Sequence, residues 1–226
     1  MKSALKSAKH RSVAMVCEKL NNEYRQPDLG NPLDPLDDLI FILLSNRATS
    51  AVAHTVFSQL KQKFPTWNSL RLAKEVELQE MLQPCGLQAK RAASIMGILN
   101  RLFADTGCCD LNFLRSLSRT SVLQYLISLP GVSNKVARCV MIYTLDHDAL
   151  PVDAHVFRIA KRLGWTSKNR PDLAHTELEA LVPLQAQRAF HINAVMHGRL
   201  VCRERNPSCA VCCIASLCSS QHSLLS

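Results

Sequence analysis

No stretch of this sequence approaches the roughly 20 consecutive apolar residues that a membrane-spanning helix needs. Its longest strongly hydrophobic run, Leu39 to Leu44, is far shorter. There is no hydrophobic signal segment, which argues against a disulfide-stapled secreted scaffold despite 10 cysteines. Glycine is scarce at 7 residues and aromatics stand at 5%, and nowhere do Val, Ile and Thr alternate between turn residues as strands require. Acids are also in short supply, 18 against 27 Lys and Arg, for a formal charge of +9. With 47% hydrophobic and 20% charged residues the chain is not of the disordered type, and 226 residues suffice for one large or two small domains. The absences leave a basic, helical chain suited to a polyanionic partner, of which nucleic acid is the commonest, in a reducing compartment such as cytoplasm or nucleoid.

The apolar periodicity is helical throughout. Residues 1–16 are basic, Ser-containing and free of acid, the composition of an organelle transit peptide; Val13, Val16, Cys17 and Leu20 continue at helical spacing, as in the start of a surface helix. Asp34 before Pro35, with Asp37 and Asp38 in the first turn, opens a helix through LDDLIFILL that reads as central and buried. A second helix starts near Thr49, a third holds Val76, Leu78, Met81 and Leu82 and ends at Gly86, and a fourth carries Ile95, Ile98, Leu99 and Leu102 up to Gly107. Ser121 and Gln124 fit a capping box opening the next. Further helices are expected near 134–145, 154–163, 172–182 and 186–197, without repeats or a flexible tether.

Leu129-Pro130-Gly131-Val132-Ser133 joins two of these helices by a tight turn. Backbone amides at the start of the second can face a phosphate, where the helix dipole favours it, and so grip a nucleic-acid backbone without reading sequence. Lys135 follows on the first turn; a lysine amine is a nucleophile only when neutral, and a helix's positive end lowers its pKa. Asp153, in Val152-Asp153-Ala154-His155, stands where the next helix needs its N-cap, and an ionised carboxylate there can also face a developing cation.

LPGVSNKVA followed by PVDAHVFRIAKRLGW resembles the helix-hairpin-helix DNA glycosylases, specifically the endonuclease III branch. The resemblance covers roughly residues 35 to 218. It implies that Lys135 attacks C1′ of a damaged nucleotide and that Asp153 assists departure of the base. It also implies two helical lobes: a six-helix domain with the hairpin over 28–147, and a second made of 1–27 plus 148–226, with DNA across the cleft between them.

Cys202, Cys209, Cys212 and Cys218 have the spacing C-x6-C-x2-C-x5-C, and four thiolates can hold zinc or an iron–sulfur cluster. Thiolate chemistry leaves the two metals even. Placed just after His197-Gly198-Arg199, the spacing resembles the [4Fe-4S] loop of endonuclease III, which implies a cluster held over 202–218 with a structural role. Cys213 beside Cys212 is a competing thiol, while Cys17, Cys85, Cys108, Cys109 and Cys139 read as buried small hydrophobes. Arg203 and Arg205 lie between the first two ligands, where a metal-pinned loop would offer them to a phosphate.

Chemistry on a base requires taking it out of the stack, and side chains fill the hole. Two loops are candidates: Ser45-Asn46-Arg47-Ala48-Thr49, and Cys85-Gly86-Leu87-Gln88-Ala89-Lys90-Arg91. By resemblance Leu87 is the wedge into the opposite strand, and Arg47 replaces the glutamine that enters the vacated space. Leu87 reads equally as a hydrophobic contact closing the preceding helix. Lys90 and Arg91 supply charge beside it. Ser133 stands at the hairpin's second glycine position; if that position is left-handed, serine costs about 1 kcal/mol there.

These expectations describe a monomeric base-excision DNA glycosylase with abasic-site lyase activity. Its expected substrate is double-stranded DNA with a damaged base, an oxidised pyrimidine, or an abasic site; no protein partner or membrane is implied. The alternatives are a non-catalytic or abasic-site-only damage-recognition protein on the same fold, and an electron-transfer iron–sulfur protein.

Overall fold

Asp34 shows how locally this fold is written. Its Oδ1 accepts from the amides of Leu36 and Asp37, both at 3.0 Å, and Pro35 supplies the first helical residue without a wasted donor. The computed structural model describes residues 2–46 and 48–220, the side chains of residues 2–9 aside. Among the described residues all regular structure is helical, and no helix is long and apolar enough to cross a membrane. The chain divides into two units, one of residues 30–147 and one of 1–29 with 148–226.

The 30–147 unit is built on α2 (Pro35–Ser45), which is buried along nearly its whole length, as its unbroken apolar middle requires. Around it pack α3 (Ser50–Lys63), α6 (Gln88–Thr106) and α8 (Asn134–Tyr143). The short α4 (Trp67–Arg71) and α5 (Glu75–Leu82) lie against this group, and α7 (Arg119–Ser128) pairs with α8. Thr49 and Thr66 cap α3 and α4, while Gly107 ends α6 in the left-handed region at φ 76°. The start of α7 differs from the capping-box reading. Ser118, not Ser121, is the N-cap, and its Oγ accepts from the Ser121 amide at 3.2 Å, so the helix begins a turn earlier. Val76 faces solvent, and Cys108 is exposed at the end of α6 rather than buried.

The other unit holds α1 (Lys2–Tyr24), α9 (Ala154–Arg162), α10 (Pro171–Leu181) and α11 (Gln187–Leu200), followed by two single-turn 3-10 segments, Cys209–Val211 and Ala215–Leu217. Val13, Val16 and Leu20 of α1 are fully buried against Val156, Ile159 and Phe190 in one core, so the helical spacing at the start of the chain is used for packing. Trp165 and Phe190 meet at 5.5 Å between ring centroids, and burying each such ring stabilises the unit by roughly 2–3 kcal/mol.

Candidate functional site

In the hairpin between α7 and α8, buried Leu129 and Val132 anchor the turn. Gly131 sits at φ 75°, and a Cβ there would also run into the Ser94 side chain of α6, so two independent constraints select glycine. Ser133 is different. Its backbone is extended (φ −83°, ψ 165°), and its Oγ caps α8 by accepting from the Val136 amide at 3.3 Å. The left-handed penalty expected at Ser133 therefore does not arise; serine is a favoured residue where it stands. Lys135 is half-buried on the first turn of α8.

Next to the hairpin, a cavity of about 400 Å³ is bordered by Leu43 and Asn46 after α2, by Leu87, Lys90 and Ser94 of α6, and by Gly131 and Ser133. Leu87 adopts a left-handed conformation at φ 52° and is 54% exposed. A leucine in that region costs on the order of 1 kcal/mol, and here the strain presents an apolar side chain to solvent at the mouth of the cavity. Lys90 is exposed beside it.

Arg91 borders the same cavity but is built in differently. It is buried, and its guanidinium donates to the carbonyls of Gly86 (2.7 Å), Cys85 (3.1 Å), Asn46 (2.5 Å) and Leu43. Leu43 lies in the last turn of α2 and Asn46 is its C-cap. These hydrogen bonds make Arg91 a brace that ties the start of α6 to the end of α2. Arg47 lies outside the described residues.

One acid in this unit carries no distinguishing sequence signal. Asp38, by sequence a first-turn acid of α2 like Asp37, is fully buried. Its Oδ1 accepts from Asn31 Nδ2 at 2.6 Å and its Oδ2 has no hydrogen-bond partner. Burial pushes its carboxyl up to about 7, against the opposing influence of the Asn31 hydrogen bond and the charge of Lys135.

In the 1–29/148–226 unit, Asp153 is the N-cap of α9, its Oδ1 accepting from the Val156 amide at 2.8 Å. The strand of chain leading to it is held from behind by buried His191 of α11, whose Nδ1 donates to the Pro151 carbonyl at 2.9 Å. The sequence offered no signal for His191, because an apolar helix face with one histidine is not distinctive. Two turns of α9 then reach the cysteine loop. Arg158 donates to the carbonyls of Cys202 (2.9 Å) and Gly198 (3.0 Å) and to His155 Nδ1 (3.0 Å). Arg162 donates to Cys202 Sγ (3.1 Å) and to the carbonyls of Arg203 (2.8 Å) and Glu204 (3.1 Å). Desolvation holds His155 below the usual imidazole range, Asp153 opposing it.

Cys202, Cys209, Cys212 and Cys218 all line one cavity, walled by Ile159, Leu163 and Ile214. Cys213 is not among its lining residues, although it neighbours Cys212 in sequence. All four thiols are free, and burial pushes Cys212 up to about 11 and Cys218 in the same direction. Among the described residues no three His, Cys, Asp or Glu side chains are gathered closely enough for a single metal ion. His197, buried, makes a 2.8 Å hydrogen bond with the Tyr24 hydroxyl through Nδ1 and approaches Cys212 Sγ at 3.5 Å through Nε2. The exposed Arg203 side chain donates within its loop to the Asn206 carbonyl and Ser208 Oγ, and Arg205 is exposed.

Comparison with known proteins adds three kinds of finding. Residues 40–184 match the family described as HhH-GPD superfamily base excision DNA repair protein. A candidate DNA glycosylase of Arabidopsis thaliana is 35% identical over 168 residues, spanning 73% of this chain and 57% of that one, so this chain covers little more than half of the plant relative. Endonuclease III of Synechocystis is 29% identical over 187 residues, covering 82% of this chain and 81% of the other. In fold, the chain resembles endonuclease III in a non-covalent complex with DNA, with a TM-score of 0.80 at 23% identity over 96% of this chain and 98% of that one. A trapped covalent endonuclease III–DNA intermediate gives 0.84 at 22% identity, covering 96% and 99% of the two chains.

Proposed function

This chain belongs to the HhH-GPD superfamily of base excision DNA repair proteins, and we propose that it is a bifunctional DNA glycosylase and abasic-site lyase of the endonuclease III type. The observation that carries the reading is Lys135 on the first turn of α8, directly after a turn whose Gly131 is required both by backbone and by packing. At that helix start the dipole and partial burial both favour the neutral amine.

The neutral Nζ of Lys135 attacks C1′ of the damaged nucleotide. A carbon–nitrogen bond forms, the glycosidic bond breaks, and the base leaves with the electron pair. Asp153, its carboxyl fixed by its cap, stabilises positive charge on the sugar. The C1′–O4′ bond then breaks as the nitrogen lone pair forms a C1′=N bond, O4′ taking up a proton, and the resulting Schiff base acidifies C2′, whose proton is lost as the 3′ phosphate is expelled. Covalent catalysis thereby replaces one hard step by easier ones. Exposed Leu87 fills space in the opened duplex, with Arg47 as its counterpart on the preceding loop. Lys90, Arg203, Arg205 and the amides around Gly131 and Ser133 bind backbone phosphates. The substrate class is an oxidised or ring-damaged pyrimidine in duplex DNA, or an abasic site, and the protein acts as a monomer.

The four cavity-lining cysteines are a soft, all-thiolate donor set with an arginine N–H directed at one sulfur, which suits a [4Fe-4S] cluster. A cuboidal cluster is wider than one ion, so ligands that stand too far apart for a single metal are compatible with it. Held there, it would serve structurally by closing the loop that carries Arg203 and Arg205, while Arg158 and Arg162 fasten that loop to α9.

Borohydride reduction tests the covalent step. Wild-type protein should give a trapped adduct on a lesion-containing duplex and Lys135→Ala should give none. Lesion-specific binding with no nicking of any duplex under single-turnover conditions would replace this reading by the damage-recognition one. Duplexes carrying thymine glycol, dihydrouracil, uracil, 8-oxoguanine or an abasic site, each opposite every base, identify the lesion.

A further inference from the structure

Asn193 and His197 stand one turn apart on α11, both fully buried, and together they hold the end of α1. Asn193 Oδ1 accepts from the Gln26 amide at 2.8 Å, and its Nδ2 donates to Asn21 Oδ1 at 3.3 Å. His197 Nδ1 meets the Tyr24 hydroxyl at 2.8 Å, and the two rings pack edge to face. Arg25 and Gln26 follow in the left-handed region, both at φ 53°, a conformation that side chains disfavour and that persists only where surrounding contacts over-determine it. These contacts fix where the Tyr24 hydroxyl stands. On the other edge of the same imidazole, Nε2 lies 3.5 Å from Cys212 Sγ.

Thiolate chemistry assigns the hydrogens. A cysteine that ligates metal is a thiolate, which accepts and cannot donate, so at this contact the hydrogen belongs to Nε2. In a neutral imidazole the other nitrogen is then a bare acceptor, and the Tyr24 hydroxyl donates to it. One line of donors runs from α1 through α11 to the sulfur. We propose that Tyr24 and His197 are positioning residues for the third cluster ligand: the tyrosine hydroxyl fixes the tautomer whose Nε2–H donates to Cys212 Sγ. The inference rests on the four cysteines holding a [4Fe-4S] cluster. A hydrogen bond to a ligand sulfur draws off negative charge, favours the reduced form, and so raises the reduction potential. Cys202 receives its N–H from Arg162 of α9, so the line through His197 can be altered without touching that bond.

The test compares the midpoint potential of cluster-loaded, full-length protein with those of three variants at matched iron content. At a fixed applied potential, His197→Leu should lower the ratio of reduced to oxidised cluster roughly 3- to 10-fold, because the N–H···S bond is lost. His197→Gln, whose amide N–H can stand in for Nε2–H, should recover part of that shift. Tyr24→Phe keeps the ring packing but lets the imidazole carry its hydrogen on Nδ1, so its potential should fall by less than that of His197→Leu. An unmoved potential in either His197→Leu or Tyr24→Phe would overturn the inference, and no recovery in His197→Gln would reduce His197 to a packing role. If His197→Leu does not fold or load, Tyr24→Phe decides alone: a lowered potential supports the assignment and an unmoved one refutes it. Wild-type protein that carries zinc or no metal would instead defeat the cluster reading itself.

Discussion

His155 occupies the space that a side chain on residue 198 would need: a Cβ built on Gly198 of α11 runs into the Nδ1 and Cβ of His155 on α9. Two motifs far apart in the chain, Val152-Asp153-Ala154-His155 and His197-Gly198-Arg199, are therefore one packing unit, with Arg158 hydrogen-bonded to both His155 and the Gly198 carbonyl.

Gly198→Ala should destabilise the protein by about 1–3 kcal/mol through overpacking. Urea denaturation checks this. Adding His155→Ala should recover part of the loss, because the second change removes the collision; a strictly additive double variant would refute the packing account.

Arg91 and Lys90, neighbours in sequence, should behave oppositely. Arg91→Ala leaves buried carbonyls unpaired and should cost about 2–4 kcal/mol of stability. Lys90→Ala should leave stability within about 0.5 kcal/mol and lower the salt slope of DNA binding by roughly one. Melting curves and binding titrations across a salt series separate the two effects.

Cys212 and Cys213 differ in which one lines the cavity with Cys202, Cys209 and Cys218. Iron content and visible absorbance of the purified protein should survive Cys213→Ala and be lost in Cys212→Ala. The reverse result would reassign the third ligand.

Asp38 also makes a prediction about stability. Its folded pKa, about 7, lies above the unfolded carboxylate range, so the folded state binds the extra proton. Between the two values stability falls as pH rises, and it levels off above the folded one. The stability difference between Asp38→Asn and wild type should therefore shift in favour of the variant from pH 4 to pH 8, by on the order of 3 kcal/mol. Urea unfolding at several pH values measures it, and a difference independent of pH would show that Asp38 ionises normally.

Much of the architecture was legible because it is local. Asp34, Thr49, Asp153 and Gly107 act on groups within a few residues, so the caps of α2, α3 and α9 and the end of α6 can be read along the chain. The same rule explains the error at Ser121: serines at 118 and 121 are both competent caps, and only the emerging direction of the chain selects Ser118. The backbone at Ser133 was misjudged for a related reason, since one left-handed residue, Gly131, completes the turn.

The sequence by itself determined the helical class, the basic surface, the hairpin turn, and the positions of Lys135, Asp153 and the four-cysteine run, all of which follow from short-range patterns of charge, turn residues and spacing. Only the tertiary structure decided that Arg91 turns inward to a carbonyl 48 residues away, that Asp38 is buried with an empty oxygen under the influence of Lys135, and that Cys212 rather than Cys213 faces the cavity. A side chain's charge is a property of its residue, but what the charge costs or does depends on which distant groups are packed around it, and packing is settled only when the helices come together.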